Sequence, residues 1–136
     1  MKTFCLKCMM LLCAALAIAT VAIAKDGDKK FLDAKAAKNL ISNRTWQANK
    51  VADSGYSYWS WKSDGSVCLR DGSKTGKCDD TGSWKLEDDR FCYELTWWGK
   101  SIGLDSACFR IADQGKGHYL GIKDNGLESL SFSVLK

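Results

Sequence analysis

The chain has 136 residues, a length that suits one ordinary domain and leaves no room for two. Its 20 basic and 16 acidic residues give a net charge of +4, too weak a field to point to nucleic acid. A hydrophobic content of 46% excludes wholesale disorder and collagen-like structure, so seven Cys, six Trp, twelve Gly and no Pro become the informative counts.

Residues 1–24 read as a secretory signal peptide. Lys2 and Lys7 form its basic start, an apolar run extends from Cys8 to Ala24, and Ala22-Ile23-Ala24 is a small-x-small cleavage site. Polar residues follow at once in Lys25-Asp26-Gly27. Cleavage would leave residues 25–136 as one domain with no membrane span, and would place it in the periplasm or outside the cell. It would also remove Cys5, Cys8 and Cys13, so the odd count becomes Cys68, Cys78, Cys92 and Cys108. Four Cys in an oxidising compartment imply two disulfides. Their spacing lacks the close C-x-x-C pair of a zinc site, and His118 is the chain's single His.

The next segment, Ala34 to Ser42, is rich in helix formers, with Asp33 as N-cap. Beyond Asn43 the pattern changes to alternation. Turn signals recur, and strands are predicted near 45–51, 55–62, 66–71, 81–87, 90–98, 106–112, 117–123 and 127–135, with a short pairing at Lys77-Cys78.

Phase agreement across turns defines one inside. The loop Ser63-Asp64-Gly65 sets Trp61 opposite Val67 and Trp59 opposite Leu69. The loop Asp88-Asp89 sets Trp84 opposite Tyr93 and Leu86 opposite Phe91. Asp124-Asn125-Gly126 aligns Leu120 and Ile122 with Leu130, Phe132 and Val134, which turns His118 and Glu128 inward. In the same phase Cys92 and Cys108 point outward and face each other across their hairpin, which predicts the pair Cys92–Cys108 and leaves Cys68–Cys78. Eight short strands with local hairpins predict an all-β fold, an up-and-down antiparallel barrel with one short N-terminal helix. A two-sheet sandwich is the alternative.

Several features carry a resemblance. Leu40-Ile41-Ser42-Asn43-Arg44-Thr45-Trp46, the aromatic strand Tyr58-Trp59-Ser60-Trp61-Lys62-Ser63-Asp64-Gly65, Gly82-Ser83-Trp84 and the cross-hairpin Cys92 and Cys108 resemble a family of small exported proteobacterial proteins of unknown function. The opening Trp strand is also similar to that of the calycins, the barrel superfamily of lipocalins and avidins. The resemblance implies a barrel and export, and carries no activity.

Catalytic constellations are not found: there is no Gly-x-Ser-x-Gly and no His-Glu-x-x-His. Gly72 to Cys78 mimics a phosphate loop only faintly, Asn43-Arg44-Thr45 matches a glycosylation sequon, and the pairs Asp79-Asp80 and Asp88-Asp89 read as solvated turns. No cofactor and no metal site is expected.

The chain therefore reads as an exported, non-catalytic binding module. It would take a small apolar or aromatic ligand among Trp46, Trp59, Trp61, Trp84, Tyr93, His118 and Glu128, or bind an envelope protein. The alternatives are an inhibitor of a periplasmic or secreted hydrolase, and an enzyme with an unrecognised site. Adjacent Trp97 and Trp98 must face opposite ways on a strand. With Trp97 inside, Trp98, Lys100 and Ile102 form a partner-contact edge.

Overall fold

A computed structural model describes residues 29–49, 55–97 and 105–136. The elements in chain order are β1 (Lys30–Phe31), α1 (Ala34–Ile41), β2 (Arg44–Asn49), β3 (Tyr56–Trp61), β4 (Ser66–Asp71), β5 (Asp80–Glu87), β6 (Arg90–Leu95), β7 (Ser106–Gly115), β8 (His118–Ile122) and β9 (Glu128–Val134).

Each strand from β2 to β8 pairs antiparallel with the next, and β9 returns to β2 through Trp46 opposite Val134 and Ala48 opposite Phe132. The sheet thus closes into an eight-stranded up-and-down barrel, and closure removes the unpaired edges that an open sheet leaves. The ten-residue β7 outruns β6, and β1 takes the vacated edge through Lys30 opposite Asp113 and Phe31 opposite Ala112. Arg110 sits 3.8 Å over the Phe31 ring, a cation–π contact that holds β1 against the wall.

The helix forms where the sequence predicts it. The Asp33 carboxylate accepts the Ala36 N–H at 2.7 Å, satisfying an orphan donor of the first turn. The last turn ends at Ser42, and Asn43 reverses the chain at φ 57°. Ala37 and Ile41 are buried in the core, and Trp46 Nε1 donates to the Leu40 carbonyl at 3.2 Å. The helix therefore stoppers the barrel end where β2 begins.

Inside, aromatic rings meet in continuous contact. Trp46 stacks on Phe132 at 3.9 Å and meets Trp61 edge-on at 4.9 Å, while Trp59 meets Tyr93 at 5.1 Å and Phe91 meets Phe109 at 5.3 Å. Offset and edge-to-face contacts at these spacings add to the burial energy of the rings. Trp61 opposes Val67, Trp59 opposes Leu69, Trp84 opposes Tyr93 and Phe91 opposes Phe109, as the turn loops predict.

Both cysteine pairs lie on the outer wall. Cys92 and Cys108 are register partners with Cα atoms 4.1 Å apart, and Cys68 and Cys78 lie 5.4 Å apart. These are the predicted pairings, and they accord with an oxidising, extracytoplasmic location.

Four expectations are corrected. The β8–β9 ladder slips by one residue at Gly121/Ile122, so Tyr119 opposes Phe132 and His118 opposes Ser133. The extra residue is Ser129 of β9, while β8 itself alternates, so Tyr119 and Gly121 point inward and Leu120 and Ile122, expected inside, share the outward phase of His118, with Ile122 opposite Arg110. His118 and Glu128 consequently sit on the exposed outer face, and the inward position beside Ile111 falls to Gly121, whose missing side chain leaves room for the Phe109 ring. Secondly, β6 stops at Leu95, and Trp97 is 62% exposed rather than inside. Thirdly, Lys77-Cys78 does not form a strand, because the Asp79 N–H already bonds the Leu69 carbonyl and β5 starts at Asp80. Fourthly, Asp80 is not a solvated turn residue but is 1% exposed.

Candidate functional site

The up-and-down order gives the barrel two ends of different make. At one end, α1 and the short connections 62–65, 88–89 and 116–117 meet. At the other lie the longer connections 72–79 and 123–127, together with the end of β2, the start of β3, the end of β6 and the start of β7.

At this loop end the inner face turns polar. Asp80 pairs with Leu69 and shares its inward phase. Its Oδ1 accepts the Thr81 N–H at 2.7 Å and the Thr96 hydroxyl at 2.7 Å, and the Trp97 N–H lies 3.3 and 3.4 Å from its two oxygens. A buried carboxylate is tolerable only with such donors, so Asp80 fixes the backbone that carries Trp97. Ser57, also inward and buried, accepts the Trp59 Nε1–H at 2.9 Å.

Tyr93 is 7% exposed, and burial, helped by the nearby Asp105 charge, pushes its phenol up to about 12. The proton is held more tightly in the folded chain than in the unfolded one. Its contribution to stability is therefore complete below pH 10 and is lost as pH rises towards 12. In a phenolate absorbance titration, one tyrosine should lag with a midpoint near 12, and Asp105→Asn should lower that midpoint. A midpoint unchanged by the substitution removes Asp105 as a cause.

The exposed large apolar side chains among the described residues share this end. Tyr56 (43% exposed) opens β3, Trp97 follows β6, and Leu127 (63% exposed) lies in the β8–β9 connection. Single exposed apolar residues are ordinary; three around one rim of a small barrel, with the other end stoppered, are a concentration.

The residues predicted to line an internal site divide into two groups. Trp46, Trp59, Trp61 and Tyr93 do converge inside, but their rings touch one another and occupy the space a ligand would need. Trp61 Nε1 is buried there without an acceptor, beside the Phe91 ring at 4.8 Å and 87°. Trp84 is half-buried against this core, and its Nε1 donates to the Lys62 carbonyl at 2.8 Å. His118 and Glu128 are not brought to the tryptophans; His118 Nδ1 instead shares a 2.9 Å hydrogen bond with Ser133 Oγ. Trp98, Lys100 and Ile102 lie outside the described residues, as does the predicted signal segment 1–24.

Among the described residues, no group of three or more His, Cys, Asp or Glu is arranged to hold a metal ion, and no helix is long and apolar enough to cross a membrane. Asp80 is the site residue that sequence reasoning missed. Its signal was available, since carrying the inward phase back from Trp84 through Gly82 lands on Asp80.

In comparisons with known proteins, no family model, curated protein or solved structure matches this chain. The fold and its rim define a class, the small closed antiparallel barrel stoppered at one end and apolar-rimmed at the other.

Proposed function

We propose that this protein is a periplasmic or secreted, non-catalytic binding module that grips a partner protein with the loop end of its barrel. The observation that carries the reading is the rim of Tyr56, Trp97 and Leu127 around that end. Trp97 is suited to an anchoring role because Asp80 ties its backbone to the barrel, which lowers the ordering cost of contact. The ring-filled interior favours surface docking over enclosure of a small ligand. Export rests on the signal-like segment 1–24 and on the two disulfides. An inhibitor of an envelope hydrolase is the form of this function that the rim would suit.

The test uses the oxidised protein immobilised against an envelope extract, with Trp97→Ala alongside. Retrieval of one stoichiometric partner, weakened about tenfold or more by Trp97→Ala at unchanged melting temperature, is the expected result. Equal retrieval by the variant excludes the rim as the contact. Saturable quenching of the buried tryptophans by a small molecule would instead return the function to the interior.

A further inference from the structure

The stoppered end is not completely sealed. Between α1 and the tops of β8 and β9 runs a groove of about 550 Å³. Its walls include Leu32, Leu40, Tyr119 and Val134, all half-buried, so apolar surface here is left partly uncovered by the helix. Three polar side chains join them, Asn39 from α1, Arg44 from the start of β2 and Lys136 beyond β9.

These walls are held on both sides. Leu40 is fixed by its carbonyl's bond to Trp46 Nε1, and Tyr119 stacks on Phe132 with ring centroids 5.6 Å apart and planes 24° apart. The groove is thus part of the rigid barrel end and exists before anything enters it, which reduces the cost of binding.

Charge selects the occupant. Arg44 has no ion-pair or hydrogen-bond partner among the described residues, and among them no Asp or Glu side chain lines the groove. A guanidinium presents a planar fork of donors that matches a carboxylate with two parallel hydrogen bonds. The Asn39 amide, also without a partner among the described residues, adds donors beside it. An apolar trough with cationic and amide donors along it fits a molecule with one hydrocarbon chain and one carboxylate. Its volume lies within the usual range for small-ligand sites, about 300–1,000 Å³.

We infer that the groove between α1 and the β8–β9 edge is a binding site for a free single-chain carboxylate, with the chain along Leu32, Leu40, Tyr119 and Val134 and the head group on Arg44. The site is separate from the loop end and independent of the function proposed for it.

Titration calorimetry of the full oxidised protein with decanoate below its micelle concentration tests this, with decanol, inorganic phosphate and neutral phospholipid vesicles as comparison arms. The expected result is saturable 1:1 binding of decanoate, weaker binding of decanol, and none of phosphate or vesicles. Arg44→Gln should weaken decanoate about tenfold and leave decanol unchanged. Its melting temperature should not move, because the Arg44 side chain has no hydrogen-bond or ion-pair partner among the described residues. NMR shifts on adding decanoate should centre on the Leu32, Leu40 and Val134 methyls and the Tyr119 ring. Trp97→Ala should bind decanoate normally, so this site and the rim can fail separately. Absence of saturation, an Arg44→Gln affinity equal to the parent's, shifts centred on Trp97, or preference for vesicles would each overturn the inference.

Discussion

Trp46→Ala should cost about 3–5 kcal/mol of unfolding free energy, the range for removing a large aromatic from a packed core. Trp46 is fully buried and touches rings from three other strands: Trp61 of β3, Phe91 of β6 and Phe132 of β9. It also holds α1 through the Nε1 bond to Leu40. Losing it opens a void that surrounding rings cannot collapse into, since the wall they stand on is closed. Trp46→Phe separates the two effects: most of the apolar contact stays, and only the helix bond and part of the volume go. Urea denaturation should show the alanine variant's midpoint far below that of the phenylalanine variant. Similar midpoints would mean that the indole bond to the helix, and not the packing, sets the loss.

Gly82→Ala should destabilise by about 3 kcal/mol or more, although it adds a single methyl group. A Cβ at Gly82 would meet the Glu94 carbonyl oxygen at 2.0 Å and Leu95 Cα at 3.0 Å. Both are backbone atoms of the adjacent strand, so no side-chain rotation can relieve the clash and the β5–β6 pairing must spread. As Leu95 closes β6 just before Thr96 and Trp97, whose donors reach Asp80, the disturbance should also loosen the rim. Thermal unfolding of Gly82→Ala checks the first effect, and emission of Trp97 shifting further to the red checks the second. A melting temperature within about 2 °C of the parent's would show that the strands can part there without cost.

What could be read from the residues alone followed from alternation where turns preserved it. Two loops, 63–65 and 88–89, set an inside and an outside correctly, and from those came the ring-to-ring partners and both cysteine pairs of the closed barrel. Alternation failed where an extra residue was inserted. The bulge near Ser129 reversed the phase of His118, and no local signal in Leu127 to Leu130 announces it. It failed again at Trp97, where a buried carboxylate from another strand, rather than local preference, captures the backbone and ends the pairing. Asp80 itself was hidden by its type, because an Asp next to an Asp beside a turn has the composition of a solvated loop. The groove at Arg44 was invisible for another reason, since it depends on where a helix settles across a barrel mouth.

Because the first and last barrel strands are the pair that closes the cylinder, the chain's order of arrival matters. Trp46 emerges early and must wait for Val134, while every other barrel pairing joins neighbours in the sequence. The bridges Cys68–Cys78 and Cys92–Cys108 span only 10 and 16 positions, so both can form on hairpins before the seam is made. Until β9 is delivered, Trp46 and Phe132 have no lid for each other, and the aromatic interior stands open as a half-rolled sheet. The seam is thus the most non-local pairing of the barrel, the one whose closure costs the most chain entropy.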